Sequence, residues 1–141
     1  MPILSGRRIL VTGLLSNRSI AYGIARACHR EGAELAFSYQ GERFKERIAE
    51  FAAEFGSTLT FDCDVSDDAQ IDALFAGLGE AWPEFDGFVH SIGFAPREAI
   101  EADLARSTLE QWDPELCADL LRQMLFARRR IWERMEPSPE E

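Results

Sequence analysis

Residues 8–23 carry the chemistry most open to reading. The run Arg8-Ile9-Leu10-Val11-Thr12 is apolar and β-branched, and it stops at Gly13. A polar turn follows, Ser16-Asn17-Arg18-Ser19, rich in residues whose short side chains cap helices. Ile20 then opens a stretch with helical spacing. A strand, a glycine and a capped helix together present unpaired backbone N–H groups and roughly half a positive charge at the helix start. Such an arrangement suits a phosphate or pyrophosphate and needs no lysine. The segment Gly13-Leu14-Leu15-Ser16-Asn17-Arg18-Ser19-Ile20-Ala21-Tyr22-Gly23 lacks the usual G-x-G-x-x-G spacing, with one early glycine and a longer turn. A βα turn that merely needs a flexible residue is therefore the competing reading.

Other reactive residue types have plainer explanations. His90 follows an apolar run without a visible carboxylate partner, so it reads as a structural residue at a strand end rather than a general base. His29 falls in a helical stretch and reads as a surface residue. Asp62, Asp64, Asp67 and Asp68 lack the glycine and terminal bidentate glutamate of a calcium loop. A strand end followed by a helix cap explains them, and no metal site is expected. Cys63 is better explained by packing than by reactivity. The run Arg128-Arg129-Arg130 suits the negative end of a helix dipole better than a nucleic-acid interface.

The elements that must position these residues alternate between strand and helix. Arg8–Thr12 is a first strand with both faces buried, and Ile20, Ile24, Ala27 and Cys28 mark the inner stripe of a helix ending at Gly32. Glu34–Tyr39 is a second strand, closed by a Gln40-Gly41 turn. A second helix runs from Arg43 to Phe55, with Phe44, Ile48, Phe51 and Phe55 on one stripe. A third strand begins at Leu59 and runs out through Asp62 to Val65. Ser66 and Asp67 then cap a third helix carrying Ile71, Leu74, Phe75 and Leu78. Phe85–His90 is a fourth strand, followed by the loop Ser91-Ile92-Gly93-Phe94. Short connections of this kind require parallel strands with right-handed crossovers. The fold class is α/β, a Rossmann-like parallel sheet of order 3-2-1-4 with flanking helices, equivalent to half of a doubly wound fold.

The domain organisation expected is a dinucleotide-binding βαβαβαβ unit over 1–96, then a divergent segment over 97–141. In that segment Asp113-Pro114 starts an amphipathic helix reaching Met135, ahead of an acidic tail. With no fifth strand in view, the fourth is expected to be an unpaired edge, which favours a homo-oligomer or pairing through that edge and the last helix.

Composition narrows the partners. The 141 residues hold 15 Lys+Arg against 25 Asp+Glu, a formal net charge of −10, which makes nucleic acid and anionic lipid poor partners. No apolar run reaches the roughly 20 residues of a bilayer span. The start MPILSGRR lacks the regions of a signal peptide, and three cysteines without a C-x-x-C pair fit reduced thiols, so a cytoplasmic location is expected.

The frames TG-x-x-x-x-x-SIAYG, REGAELAFSYQ and FDGFVHSIGFAPRE closely resemble the bacterial enoyl-[acyl-carrier-protein] reductases, divergent short-chain dehydrogenase/reductases of type II fatty-acid synthesis. The resemblance covers about residues 2–98. It implies oxidoreductase chemistry in lipid metabolism, the NADH-dependent reduction of a trans-2-enoyl chain carried on acyl carrier protein. Position by position, Gly13 resembles the glycine under the pyrophosphate, and Ser19 and Ile20 the residues meeting the phosphates. Gln40 resembles the residue near the adenosine ribose, and Asp64 and Val65 the pair flanking the adenine. Ser91, Ile92 and Gly93 resemble the loop beneath ribose and nicotinamide, with Gly93 and Phe94 bordering the acyl pocket. A neutral Gln40 neither grips a ribose hydroxyl with a carboxylate nor supplies a cation for a 2′-phosphate, and Arg43 lies close by in sequence, so NADPH stays open beside NAD.

The same resemblance implies a catalytic Tyr and Lys on a later helix. The chain has two tyrosines, Tyr22 and Tyr39, and one lysine, Lys45, all in its first half. No catalytic residue is therefore assigned, and the chain is expected to be a truncated or rearranged reductase that does not turn over alone. The alternative is a non-catalytic nucleotide-binding or interaction module that pairs with a full-length reductase.

Overall fold

In the computed structural model of the chain the described residues are 2–93. The chain divides into two units, Met1–Ile92 and Gly93–Glu141, and the first carries everything that follows. The expected linker and amphipathic helix within 97–141, together with Phe94 and Cys117, lie outside the described residues.

Strands β1 (Arg8–Thr12), β2 (Glu34–Tyr39), β3 (Thr60–Asp62) and β4 (Gly87–Val89) form one parallel sheet in the order 3-2-1-4. Helices α1 (Ile20–Arg30), α2 (Lys45–Glu54) and α3 (Asp68–Ala81) connect them. Successive side chains on a strand point to opposite faces, and the packing follows that alternation. Ile9 and Val11 of β1 and Leu35, Phe37 and Tyr39 of β2 pack with Ala21, Ala25, Ile48, Ala52 and Phe55 of the α1–α2 layer. Leu10 and Ala36 turn the other way, into a second cluster with Ile71, Leu74, Leu78 and Trp82 of the α3 layer. Helices on both faces are why β1 reads as an unbroken apolar run. Among the described residues no helix is long and apolar enough to cross a membrane.

The bounds of β1 and β2 match the sequence reading, while β3 and β4 are shorter than expected. Their ladders are continued by single hydrogen bonds: the Phe37 amide donates to the Leu59 carbonyl at 2.9 Å, Cys63 to Tyr39 at 2.8 Å and Asp86 to Arg8 at 2.8 Å. The second helix also starts late. Glu42–Phe44 forms one 3₁₀ turn, with the Phe44 amide donating to the Gly41 carbonyl, and α2 proper begins at Lys45.

The inner stripe of α1 corrects the sequence reading. Ala21 and Ala25 are buried, Tyr22, Ile24 and Cys28 are half-buried, and Ala27 is exposed. Ile20 is 78% exposed. Helical spacing fixes a face but not its phase, and here the small residues win the inner face because they allow close approach to the sheet. A similar approach occurs on the far face, where a Cβ on Gly77 of α3 would fall 2.9 Å from the Phe61 ring of β3.

At the base of the sheet Asp86 joins two strands. Its carboxylate accepts from the Arg7 guanidinium at 2.6 Å and from the Arg8 amide at 2.9 Å. These bonds, the Arg8 amide first, hold its pKa below the ordinary aspartate range. Arg8 also pairs with Glu34 at 3.5 Å and lies over the Trp82 ring, 5.9 Å from its centroid.

The phase of α1 is directly testable by urea unfolding of the 141-residue chain. Ile20→Ala is expected to change stability by no more than about 0.5 kcal/mol. Ala25→Leu, which forces extra methylenes between helix and sheet, is expected to cost about 1–3 kcal/mol. Equal costs at the two positions would contradict the packing described.

Candidate functional site

Parallel strands deliver their C-terminal ends to one edge, and the register brings four loops together there. Thr12 is opposite Ser38, Val11 opposite Val89, and Tyr39 opposite Asp62. The residues that follow are Gly13, Gln40, Cys63 and His90. The crevice between β1 and β4 is where the strand order reverses, the point at which open α/β sheets take their ligands.

The loops after β1 and β4 are held against each other. Thr12 is buried, its Oγ1 donating to the Val89 carbonyl at 2.9 Å and accepting from the Ser91 amide at 3.3 Å. Gly13 follows with φ +77°. A Cβ there would fall 2.7 Å from the Ser91 carbonyl carbon, closer still to its oxygen, and 3.3 Å from the Ile92 nitrogen. Both the backbone conformation and the lack of space exclude any side chain at residue 13. Gly13, Ser91 and Ile92, three of the residues singled out by sequence, are thus brought together. Gly93 is exposed.

Past Gly13 the chain buries Leu14 and turns at Ser16. Ser19 is the N-cap of α1: its Oγ donates to the Ser16 carbonyl at 2.6 Å and accepts from the Tyr22 amide at 3.2 Å. The Gly23 amide takes the Ser19 carbonyl at 3.3 Å. The amides of Ile20 and Ala21 have no acceptor among the described residues, and the first turn of α1 contains no acidic side chain. The positive end of the helix dipole is therefore left open toward solvent.

Gln40 and Asp64 meet directly, Nε2 donating to Oδ2 at 2.8 Å. The other carboxylate oxygen of Asp64 accepts from the Ser66 amide at 2.9 Å and its hydroxyl at 2.7 Å, while the Asp64 amide donates to Gln70 Oε1 at 2.9 Å. The Ser66 hydroxyl, then its amide, hold the Asp64 carboxyl below the usual aspartate range, with Gln40 adding to the effect. Val65 is half-buried against the α3 layer. Asp62 accepts from the Gly41 amide at 2.8 Å, and Asp67 caps α3 by accepting from the Ala69 amide at 2.9 Å. Asp62, Asp64 and Asp67 thus act as local turn and cap acceptors. Among the described residues no group of three or more His, Cys, Asp or Glu is arranged to hold a metal ion.

Between the loop after β1 and the loop after β2 lies an open groove of about 600 Å³, lined by Leu15, Gln40, Gly41, Glu42, Arg43 and Phe44. Sequence reasoning missed this groove, along with the bridging role of Thr12. A hydroxyl ending an apolar strand directly before a glycine was the available signal for Thr12. His90 is half-buried, with Nε2 out of contact with water and without a hydrogen-bond partner among the described residues.

The residues that would be sought for acid–base work are engaged elsewhere. The Tyr22 hydroxyl donates to Glu54 at 2.7 Å, and that bond is the first cause of its raised pKa. Tyr39 is buried, which raises its pKa. Lys45 is raised by its 2.9 Å bond to Glu42.

Comparison with known proteins adds to this geometry. The family profile described as enoyl-(acyl carrier protein) reductase matches residues 13–133. The enoyl-[acyl-carrier-protein] reductase [NADH] FabI of Salmonella typhimurium is 59% identical over 111 residues, covering 79% of this chain and 42% of that protein. Its Escherichia coli counterpart is 58% identical over the same coverage. The chain therefore spans about two-fifths of the length of these curated relatives. Among solved structures, enoyl-[acyl-carrier-protein] reductase (NADH) from Aquifex aeolicus matches with a TM-score of 0.75 at 41% identity, over 94% of this chain and 52% of that one. The reductase from Anaplasma phagocytophilum, solved in complex with NAD, matches with a TM-score of 0.76 at 28% identity, over 95% and 50%.

Two outcomes are expected from the site geometry. Gly13→Ala should destabilise the chain by more than about 2 kcal/mol in urea unfolding, because strain and a backbone clash coincide. Asp64 is depressed in the folded state, so its stabilising contribution is complete above the unfolded pKa and is lost as pH falls below about 4. An Asp64→Asn variant should accordingly show a shallower loss of stability between pH 4 and pH 2 than the native chain, read from urea midpoints.

Proposed function

The chain belongs to the enoyl-(acyl carrier protein) reductase family, and from that premise we propose that its residues 2–93 form the NAD(H)-binding part of such an enzyme. The observation that carries the reading is the pair of amides, Ile20 and Ala21, that find no acceptor among the described residues, at an α1 N-terminus whose first turn has no acidic side chain. A pyrophosphate there accepts hydrogen bonds that the fold leaves open. The net charge of −10 does not oppose this strongly, because exposed charges beyond about 8 Å are screened in physiological salt.

The rest of the dinucleotide fits the remaining residues. Gln40, whose Nε2 is committed to Asp64, keeps Oε1 as an acceptor for a ribose hydroxyl. Asp64 and Val65 flank the adenine, and their turn is rigid because Ser66 and Gln70 fasten it. Ser91, Ile92 and Gly93 run beneath the second ribose and the nicotinamide, at a height set by Thr12 and Gly13. When bound, NADH supplies the hydride that reduces the trans-2 double bond of an enoyl chain on acyl carrier protein. The chain's described residues bind and orient.

We further propose that the 141-residue chain binds nucleotide without turnover by itself. Tyr22, Tyr39 and Lys45 are each tied into helix contacts or core, which supports this reading. The same observation favours the second reading, a nucleotide-binding module acting with a longer reductase. Among the described residues β4 pairs only with β1, which offers an edge for association with another copy or with such a partner.

Titration with ADP-ribose, followed by amide chemical shifts, tests the binding reading. The largest shifts are expected at Ile20, Ala21 and Gly13. No perturbation at millimolar ligand, or shifts confined to another surface, would overturn it. Incubation with NADH and a crotonyl thioester is expected to give no NADH oxidation by the pure chain. Measurable turnover would discard the binding-only readings, whereas turnover restored by adding a full-length reductase variant lacking its own nucleotide site would favour the module.

A further inference from the structure

Asp64 is held at every polar group it has. Its carboxylate oxygens accept from Ser66 and Gln40, and its carbonyl accepts from the Asp67 amide at 3.0 Å. Its own amide donates to Gln70 Oε1 at 2.9 Å, a bond that comes from inside a helix. Asp67 is the N-cap of α3 and Gln70 the third residue of that helix, the spacing of a capping box. A Gln in this place ordinarily reaches back to the amide of the cap residue itself. Here the Asp67 amide is already spent on the Asp64 carbonyl, and Gln70 reaches past it to the Asp64 amide. Its Nε2 meanwhile donates to Asp67 Oδ2 at 3.1 Å, so one carboxamide clasps both the cap and the turn after β3.

Helix stability alone does not ask for this reach. Asp67 Oδ1 already caps α3 through the Ala69 amide at 2.9 Å, and Ile71 and Leu74 anchor the helix in the core. The diverted bond adds a tie between that anchored helix and the peptide at residues 64–65. Ser66 and Gln40 belong to loops, whereas Gln70 directly precedes Ile71, which is 1% exposed. Val65 packs against the same cluster that contains Ile71.

We infer that Gln70 is a positioning residue for the nucleobase: its clasp on Asp64 and Asp67 sets the Asp64–Val65 peptide beside an adenine without touching the ligand. The inference rests on the dinucleotide reading above and deepens it by separating the two ends of the site. The Ile20 and Ala21 amides, where a pyrophosphate docks, belong to α1 and share no bond with Gln70. Loss of the clasp therefore loosens the base-flanking turn, which must then be ordered when the base binds, and leaves the pyrophosphate cradle as it was.

The test titrates the full 141-residue chain and its Gln70→Met and Gln70→Glu variants with ADP-ribose and with inorganic pyrophosphate, followed by amide chemical shifts. Methionine keeps the side chain's length and helix-forming tendency while removing the amide acceptor. Gln70→Met should weaken ADP-ribose about three- to tenfold, the scale of one lost hydrogen bond, and leave pyrophosphate within about twofold. The Asp64 amide should also exchange with solvent faster. Gln70→Glu, which retains an acceptor for that amide and gives up the bond to Asp67, should recover part of the ADP-ribose affinity. If ADP-ribose binds the native and Gln70→Met chains equally, the inference falls and the dinucleotide reading stands. An equal loss for both ligands, or no recovery in Gln70→Glu, would also overturn it. If the native chain binds neither ligand, both readings fall together.

Discussion

The site depends on one close approach, that of the backbone at Gly13 to the carbonyl of Ser91. It exists because β1 and β4 are neighbours in the sheet although the chain visits β2 and β3 between them. Thr12 supplies the polar half of the junction by serving a carbonyl and an amide of the β4 segment with one hydroxyl. Gly13 supplies the steric half by having no Cβ. Together they place the loop after β4 directly beside the turn that leads to α1. A ligand touching both would therefore meet a fixed surface and would not have to order two mobile loops, a saving of conformational entropy at the moment of binding.

Polar groups around this junction are mostly spoken for, and that makes the exceptions informative. Ser19, Gln40, Asp62, Asp64 and Gln70 each satisfy a neighbour within a turn or across two loops. Among the described residues what remains without a partner, besides the buried His90 Nε2, is directional: two amides at the opening of α1, and the Arg43 guanidinium stacked on an aromatic ring. Both are donors. A strongly acidic protein thus keeps an acceptor-seeking rim at the crown of its sheet, and backbone dipoles rather than lysines provide most of it.

The layout was largely legible in the residues, since apolar strand runs, capped helices and their glycine stops each leave a local signature. Arg8–Thr12 and Glu34–Tyr39 were read to the residue because both strands are buried on two faces. The phase of α1 was not, because Ile20 outranks Ala21 in hydrophobicity while close packing selects the smaller residue. The Gln40–Asp64 bond joins residues 24 positions apart through a register that only the assembled sheet defines. The groove beside Arg43 escaped notice for the same reason: it lies between two loops, and neither sequence segment encodes it alone. Family resemblance nominated candidate site residues individually. The contacts between them came from the fold.

β4 pairs with β1 over only three positions, Gly87 to Val89, too few to define an alignment securely through main-chain bonds alone. Asp86 removes the ambiguity from below by latching both arginines that precede and open β1. Sliding β4 by one place would turn Phe88 from one helical layer to the other and carry Ser91 away from Gly13. An exposed carboxylate at the foot of the sheet consequently acts as an alignment pin, setting where the crown of the molecule puts the backbone that follows β4.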